Sequence, residues 1–364
     1  MKRISINLLL QFFLLSFIST KAIANLVQEG FVITDPSHKW LELVKQQPDL
    51  TIDHVRGSHF EVWGPVGLEK WLTKNKANFS DLNTLNIQAV NGFPTHEENT
   101  AQLQDLAKAY PTTAKLFSIG KSVQGRDLWV IKISRHVNTD DNRPEFKYIA
   151  NMHGDEIVGR ELMMKLILDL LQKDGTDAQI TELLDKVQIY IMPSMNPDGA
   201  ALKIRGTAKS IDLNRDFPDF NSNDNVNSPN GRAAETQAVM NWQATRNFKL
   251  SANFHGGSEV VNYPWDAIAA PHPLETYLKN ISLNYAHLAP YIAASTEFEN
   301  GITNGFAWYQ VLGGMQDWSY HWYNDIQLTI ELSNAKWPNY STVNYYWEQN
   351  RPALINLITQ VTFL

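Results

Sequence analysis

The chain has 364 residues, no cysteine and a formal net charge of −7 at pH 7. Without cysteine there can be no disulfide and no thiolate metal ligand, so packing alone must hold the core, which a chain of this length can do. The acidic balance excludes a general electrostatic attraction to nucleic acid or to anionic lipid.

The first 24 residues have the pattern of a secretory signal peptide. Lys2 and Arg3 form a positive start, residues 8–18 are mostly apolar, and Ala22-Ile23-Ala24 supplies the small residues of a cleavage site. The apolar stretch is short for a membrane span, although an uncleaved anchor is the alternative interpretation. We therefore expect export, a mature chain that starts near Asn25, and no stable membrane insertion. Export without cysteine favours a bacterial periplasm or the extracellular space.

Residues 25–91 are predicted to form a small N-terminal α/β module. Trp40, Leu41 and Val44 have helical spacing, and three further segments indicate two strands and a short helix, at residues 50–55, 59–63 and 68–72. Polar residues 73–87 indicate the exit from this block. A block of this size is only marginally stable alone, so we expect it to pack on the rest of the chain.

Residues 92–364 are predicted to form a single α/β domain. Buried strands are expected at residues 128–133, 146–150, 187–192, 250–254 and 326–330. An apolar stripe of helical period covers residues 157–171, a last helix is expected at 342–361, and residues 219–231 are predicted to be a surface loop. This alternation predicts a mixed, mostly parallel sheet with helices on both faces.

Polar side chains follow the predicted strands of this domain within a few residues. They are His153, Asn196, His255 and Glu331. Because ligands bind beyond the carboxyl ends of the strands in open sheets of this kind, we expect these side chains to converge.

A metal site is indicated by His153 and Glu156, which follow one strand, and by His255, about a hundred residues later. A tight turn through Gly154 can bring the first two together without a helix. Two imidazole nitrogens and one carboxylate are the three protein ligands of a catalytic zinc, which keeps a further position open. The sequence therefore predicts one zinc ion per chain and hydrolytic chemistry.

An ordered series of motifs extends from about Glu97 to the C-terminus. It comprises His153-Gly-Asp-Glu156, Met195-Asn-Pro-Asp-Gly199, Asp212-Leu-Asn-Arg-Asp-Phe-Pro218, His255-Gly-Gly-Ser258, Asn262-Tyr-Pro264, Gly301-Ile-Thr-Asn-Gly305, Gly313-Gly-Met-Gln-Asp317 and Glu331-Leu-Ser333. On these motifs the chain resembles the zinc metallocarboxypeptidases of the carboxypeptidase A and B type, particularly the branch with carboxypeptidases E, N, M and D. Asp216 departs from that branch, which has asparagine there.

The resemblance implies the catalytic roles. Glu331 matches the general base and proton shuttle, although an ion pair with an arginine is the alternative for a carboxylate at a buried strand. Arg205 matches the arginine that stabilises the oxyanion, with Lys203 as the second candidate because the surrounding motif departs from the family pattern. Asp212 matches the carboxylate that orients the first zinc histidine, or else caps a loop.

The resemblance also implies substrate contacts. Asn214 and Arg215 match the pair that holds the free C-terminal carboxylate of a peptide, which a guanidinium can bind with two parallel hydrogen bonds. Tyr309, rather than Tyr320, matches the tyrosine that closes over that carboxylate.

Asp266 and Gln316 match the positions that determine specificity. An acidic group and an amide in the pocket would favour a terminal Lys or Arg and disfavour Phe or Leu. The alternative for Asp266 is a solvated loop carboxylate.

The sequence thus predicts an exported zinc carboxypeptidase that acts on peptide or protein C-termini and releases Lys or Arg. Two alternatives remain: a bacterial cell-wall peptide hydrolase acting on diaminopimelate-containing stems, and a catalytically silent peptide-binding relative. The N-terminal module has a topological resemblance to the prosegments of these enzymes, which implies an inhibitory or chaperone role. An ordinary extension packed on the catalytic domain is the other interpretation.

Overall fold

The computed structural model describes residues 28–81, 92–139 and 141–364. The predicted signal peptide, residues 1–24, lies outside the described residues. Within the described part of the chain, every helix is too short or too polar to cross a bilayer.

The described residues form twelve strands and twelve α-helices. The strands are β1 (Gln28–Thr34), β2 (Thr51–Arg56), β3 (His59–Pro65), β4 (Phe79–Asp81), β5 (Ala114–Lys121), β6 (Asp127–Ile133), β7 (Glu145–Ala150), β8 (Gln188–Met192), β9 (Phe248–His255), β10 (Glu259–Tyr263), β11 (Ile302–Asn304) and β12 (Ile326–Leu332). The helices are α1 (Lys39–Lys45), α2 (Leu68–Lys74), α3 (His96–Ala109), α4 (Val158–Lys173), α5 (Ala178–Lys186), α6 (Pro197–Leu202), α7 (Ala234–Gln243), α8 (Glu275–Leu288), α9 (Pro290–Ala293), α10 (Gly305–Trp308), α11 (Met315–Tyr323) and α12 (Val343–Gln360).

Residues 28–81, which we call the N-terminal module, form a four-stranded antiparallel sheet with the strand order β2-β3-β1-β4. Its apolar face packs with α1 and α2 around Ile33, Val44, Val62 and Leu72, all fully buried. The two helices and the strands β2 and β3 lie where the sequence pattern predicts them. The short strand β4 falls inside the polar segment that was expected to be only an exit, because backbone pairing with β1 needs no apolar pattern.

The main sheet has eight strands in the order β11-β10-β12-β9-β7-β8-β6-β5. The central strands β12, β9, β7 and β8 are mutually parallel. Strands β5 and β6 pair antiparallel with their neighbours, and β10 pairs antiparallel with β12 but parallel with the edge strand β11. Successive residues of the buried strands enter two separate apolar clusters, as Tyr148 and Ile149 of β7 do, so both faces are covered. The predicted α/β class, with a mixed and mostly parallel sheet, is confirmed.

The parallel strands of this sheet have their carboxyl ends at one edge. Strand β7 ends just before the turn with His153, β9 ends at His255, and Glu331 of β12 is in register with His255. Helix α6 also begins at this edge. It starts at Pro197 because the Asn196 side chain accepts a hydrogen bond from the Gly199 amide and proline suits the first position of a helix. The topology therefore brings the predicted polar residues to one place.

Candidate active site

The turn after β7 is shaped by its own polar groups. Asn151 has a left-handed conformation, with φ of 55°, and its side-chain amide donates to the carbonyl oxygens of His153, Gly154 and Glu156. A side chain at Gly154 would clash with the backbone of Gly199. The turn can therefore pass close to α6 only with glycine there, and it holds His153 and Glu156 side by side.

The three predicted metal ligands converge. His153 Nδ1 lies 3.0 Å from a Glu156 oxygen and 3.0 Å from His255 Nδ1, and His255 Nδ1 lies 2.8 Å from Glu156 Oε2. All three side chains are buried. The other ring nitrogen of His153 lies 3.1 Å from Asp212 Oδ1, an arrangement that turns the Nδ1 lone pair towards Glu156 and His255. Three electron-pair donors facing a common point suit a divalent metal ion.

Glu331 is buried beside this donor set. Its strand β12 runs parallel to β9, and the register pairs Glu331 with His255, so both side chains lie on the same face of the sheet. Glu331 Oε2 has no hydrogen-bond partner in the part of the chain that the structure describes. A carboxylate so placed is available to accept a proton.

Of the two candidates for the oxyanion-stabilising cation, the structure places Arg205 at the donor set. The Arg205 Nη1 atom lies 3.1 Å from His153 Nδ1, and its Nε donates to Asp212 at 3.0 Å. The ammonium of Lys203 instead lies 5.3 Å from the ring centroid of Trp337. Asp212 thus contacts both the histidine and the arginine, which fixes their relative position.

Asn214, Arg215 and Tyr309 are the residues predicted to bind a terminal carboxylate, and Arg215 and Tyr309 contact adjacent residues, Ile52 and Asp53. Asn214 Oδ1 accepts from the Met315 amide at 3.0 Å, and Arg215 Nη1 donates to the Asn214 carbonyl at 2.9 Å. The second amino group of Arg215 donates to the Ile52 carbonyl, and the Tyr309 hydroxyl donates to the Asp53 carboxylate, both in the N-terminal module. Tyr320 packs elsewhere, against Trp265 and His272.

Asp266 is buried rather than solvated. Its Oδ1 accepts from Gln316 Nε2 at 3.0 Å and from Asn262 Nδ2 at 3.2 Å. A Cβ atom at Gly314 would lie 3.6 Å from Asn214 Oδ1 and 3.7 Å from Asp266 Oδ2, so the predicted specificity residue and Asn214 flank the same glycine. Burial raises the pKa of Asp266 to about 7.

Asp317 fixes the chain around Asp266. Its carboxylate accepts the backbone amides of Asp266 and Ala267 at 2.9–3.0 Å. Burial raises the pKa of Asp317 as well, and the nearby Asp266 carboxylate adds to the effect.

Residues 52–55 of the N-terminal module contact the candidate active site, which the sequence pattern does not predict. Arg215 Nη2 donates to the Ile52 carbonyl at 3.0 Å, the Tyr309 hydroxyl donates to Asp53 at 2.8 Å, and Trp308 Nε1 donates to the Val55 carbonyl at 2.7 Å. The other Asp53 oxygen forms an ion pair with Arg205. The only sequence signal is the polar pair Asp53-His54 inside a strand pattern, and it does not reveal a partner 152 residues away.

Lys336 is a second unforeseen residue of the site. Its ammonium lies 2.9 Å from Glu61 of the module, 3.6 Å from Glu156 and 3.7 Å from Asp53. Burial disfavours its charge, but Glu61 and the other carboxylates outweigh that effect and hold the pKa of Lys336 above its usual range. The lysine therefore stays charged and links the module to the metal-ligand turn.

An α/β sheet with a three-donor metal site at its carboxyl edge, next to a buried carboxylate, is the arrangement of a metal-dependent hydrolase. Comparison with known proteins shows which family of metal-dependent hydrolases the chain resembles. The family model described as zinc carboxypeptidase matches residues 100–353. The chain therefore belongs to the zinc carboxypeptidase family.

Individual relatives agree with this placement. Carboxypeptidase SOL1 of Arabidopsis thaliana is 39% identical over 289 residues, which cover 76% of this chain and 58% of that protein. Carboxypeptidase M of Mus musculus is 40% identical over 294 residues, covering 73% of this chain and 65% of the relative. For carboxypeptidase D of Anas platyrhynchos the identity is 42% over 285 residues, covering 71% of this chain but 20% of the relative. The chain thus spans less than two thirds of the length of these relatives.

Solved structures share the fold over a longer part of the chain. Carboxypeptidase A from Helicoverpa armigera superposes with a TM-score of 0.71 at 18% identity, covering 93% of this chain and 98% of the other. Thrombin activatable fibrinolysis inhibitor superposes with a TM-score of 0.72 at 16% identity and covers 92% of this chain and 98% of its own. Residues 92–364 are only about three quarters of the chain, so the shared fold extends into the N-terminal module.

Proposed function

We propose that this protein is a zinc-dependent carboxypeptidase that hydrolyses the last peptide bond of peptides with a free C-terminus. The observation that carries the proposal is the convergence of His153, Glu156 and His255 donor atoms, all within 3.0 Å of one another, beside the buried Glu331 carboxylate. A zinc ion held there would polarise the scissile carbonyl and lower the pKa of water.

The surrounding residues supply the remaining chemistry. Glu331 takes a proton from the attacking water and later gives it to the leaving amine, for which it needs a carboxylate oxygen that is not already engaged in a hydrogen bond. Arg205, fixed by Asp212, places positive charge where the carbonyl oxygen becomes negative. Both residues act on charge that develops in the transition state, so they raise the rate rather than the affinity for substrate.

Selection for the chain end is assigned to Arg215, Asn214 and Tyr309. The Arg215 guanidinium currently donates to the Ile52 carbonyl, and the Tyr309 hydroxyl donates to the Asp53 carboxylate. These donors are the kind that bind a terminal carboxylate, and a blocked terminus would leave Arg215 without its charged partner. Peptides with an amidated C-terminus should therefore not be cleaved.

A preference for terminal Lys or Arg is assigned to Asp266. The buried carboxylate, held by Gln316 and Asn262, lies on the other side of Gly314 from Asn214. A cationic side chain in this pocket would gain a charged hydrogen bond, whereas Phe or Leu would leave buried polar groups unpaired.

The proposed enzyme is exported, as residues 1–24 suggest, and acts on peptide or protein C-termini rather than on nucleic acid. N-terminal sequencing of the protein recovered outside the cytoplasm tests this part. A mature N-terminus near residue 25 supports it, and an intact Met1 in the exported fraction contradicts it.

We further propose that residues 28–81 act as an inhibitory prosegment. Residues 52 and 53 bind three side chains that are assigned to the substrate. The Ile52 carbonyl accepts a hydrogen bond from Arg215, and the Asp53 carboxylate contacts Arg205 and Tyr309. Glu61 adds a buried ion pair with Lys336. A peptide could not reach these groups while the module is docked.

One protein tests both proposals. A sequence-specific protease site is inserted between residues 81 and 92, and the purified chain is assayed before and after cleavage. The substrates are hippuryl-Arg, hippuryl-Phe and the amidated form of the first, each with and without a zinc chelator.

After cleavage and separation of the module, we expect release of the terminal residue, faster for Arg than for Phe, abolished by the chelator and absent with the amide. Glu331→Gln treated identically is the control for a contaminating peptidase. Failure to hydrolyse any substrate after separation contradicts the enzymatic proposal. Equal activity before and after cleavage contradicts only the inhibitory one, and faster release of Phe contradicts the basic preference.

A further inference from the structure

Lys336 is a cation of the catalytic domain whose nearest partner belongs to the N-terminal module. Among the described residues, its ammonium donates a hydrogen bond to Glu61 Oε2 at 2.9 Å. Asp53 Oδ2 lies 3.7 Å from the ammonium, and the ring centroid of Trp63 lies 5.0 Å from it. The side chain is only 4% exposed with these three residues around it, so departure of the module opens the ammonium to the cleft.

The catalytic domain offers this ammonium more distant partners. Glu156 Oε1 lies 3.6 Å from it and Asp155 Oδ2 lies 3.9 Å from it, both beyond hydrogen-bond distance. Glu156 is also engaged with His153 and His255 in the proposed metal site. Once the module has left, the ammonium of Lys336 is therefore a charged donor in the cleft that can accept a new carboxylate partner.

Asp53 shows where Lys336 lies relative to the groups assigned to the substrate. One oxygen of Asp53 accepts from the Tyr309 hydroxyl at 2.8 Å, and the other contacts both Arg205 and Lys336. The proposed function places the terminal carboxylate of the peptide at Tyr309 and the scissile carbonyl oxygen at Arg205. Lys336 therefore lies at the end of the cleft that holds the scissile carbonyl, beyond the terminal residue.

Arg205 and Lys336 are close enough to contact the same residue of a peptide. Besides the Asp53 oxygen they share Glu156 Oε1, which lies 3.5 Å from Arg205 Nη1 and 3.6 Å from the Lys336 ammonium. The scissile carbonyl belongs to the penultimate residue of the substrate. A penultimate residue with its carbonyl oxygen at Arg205 thus has its side chain within reach of Lys336.

We propose that Lys336 makes the enzyme prefer peptides whose penultimate residue is Asp or Glu. The inference rests on the proposed function and deepens it by naming a second feature of the substrate. The carboxylate of the penultimate residue takes the place that Glu61 holds in the intact chain, and a charge-assisted hydrogen bond replaces the one that is lost. A penultimate Lys or Arg would meet a like charge and be disfavoured.

The alternative is that Lys336 only fixes the metal-ligand turn through Asp155 and Glu156. Its removal would then slow the hydrolysis of all substrates alike, whatever the charge of the penultimate residue. Two substrates that differ only in this charge distinguish the alternatives.

The test uses the chain after the module has been cleaved off and separated. Every residue of the two apolar clusters that cover the main sheet lies after residue 100, so residues 92–364 keep their apolar core without the module. The substrates are benzoyl-Glu-Arg and benzoyl-Gln-Arg, which have side chains of the same shape but different charge.

For the wild type, we expect kcat/KM to be about three- to tenfold higher with the glutamate substrate, since water partly screens the ion pair in an open cleft. This preference should decrease as the salt concentration rises. In Lys336→Met the two substrates should be cleaved at nearly equal rates, whereas Lys336→Arg should keep most of the preference. Lys173→Met is the matched control, because Lys173 is 42% exposed on α4, and it should behave as the wild type.

Equal kcat/KM for the two substrates in the wild type overturns the inference, and so does a glutamate preference that survives in Lys336→Met. The wild-type comparison needs no variant, so it decides even if Lys336→Met does not fold. A wild type that cleaves benzoyl-Gln-Arg without a preference for glutamate leaves the proposed function intact. A wild type that cleaves neither substrate contradicts the proposed function and this inference together.

Discussion

Glu331 is a buried residue whose carboxylate can still accept a proton. It lies in a fully buried strand, yet one of its carboxylate oxygens has no hydrogen-bond partner in the described chain. Burying such a group costs free energy unless a partner arrives, and a metal ion or a transferred proton would be that partner.

Replacing Glu331 by Gln keeps the shape of the side chain but removes its ability to accept a proton. We expect kcat to fall roughly a hundredfold to ten-thousandfold, the usual contribution of a general base. Zinc affinity, measured by competition with a chelator, should stay unchanged because the three ligands remain. The exposed Glu348 of α12 provides the control Glu348→Gln. Turnover at the wild-type rate in Glu331→Gln would exclude the assigned role.

The proposed role of Asp266 predicts that specificity depends on pH. Because burial raises its pKa to about 7, the side chain is neutral below that pH and negatively charged above it. After removal of the module, the ratio of kcat/KM for hippuryl-Arg to that for hippuryl-Phe should therefore rise as the pH increases through about 7. Asp266→Asn should flatten this rise, whereas the exposed Asp224→Asn should not. A wild-type ratio that falls with increasing pH would contradict the role of Asp266.

At the scale of residues, the sequence predicted the set that lies next to buried strands in distinctive motifs. His153, Glu156, His255 and Glu331 are of this kind, and the sheet topology brings them together. Asp53 and Lys336 could not be predicted, because their contacts with the site arise only from the docking of two distant parts of the chain.

Among the strands, those with buried side chains were predicted best from the sequence. Strands β7, β8 and β12 are buried at every residue, and their apolar runs predicted them within one or two residues of the observed bounds. Strand β11 has three half-buried residues, and β5 alternates only weakly. Backbone pairing at the edges of the sheet defines these two, so no side-chain pattern indicates them.

An ion pair between β3 and the segment after β12 is one of the contacts that dock the module. Glu61 of β3 contacts Lys336 after β12 at 2.9 Å, and the Lys336 ammonium also lies 5.0 Å from the Trp63 ring centroid. Removing one partner of a buried pair costs about 3–5 kcal/mol when the other charge is left uncompensated. The cost is smaller here, because Glu156 and Asp53 remain near the Lys336 ammonium.

Glu61→Gln should therefore weaken the binding of the cleaved module to the catalytic domain by about tenfold to a hundredfold. The binding can be measured by titrating the isolated module into the separated domain and following the loss of peptidase activity. Glu42→Gln, which removes an exposed charge of the same module, should have little effect. Equal inhibition by wild type and Glu61→Gln would show that the ion pair does not hold the module.

For the molecule as a whole, the two sheets meet at the metal site, and each contributes buried polar residues to it. The shared fold with solved carboxypeptidase structures covers 92–93% of the chain and so includes both sheets. The curated relatives match a part of this chain and, in turn, are matched over only a part of their own length. The way the N-terminal module packs on residues 92–364 is therefore described here from the contacts between them, such as Asp53 with Arg205 and Glu61 with Lys336.

Crystals of the intact protein with zinc, measured on both sides of the zinc absorption edge, test the metal centre itself. The account predicts one strong anomalous peak per chain, within bonding distance of His153, Glu156 and His255. A peak at another location, or none in zinc-soaked crystals with these side chains ordered, would contradict it.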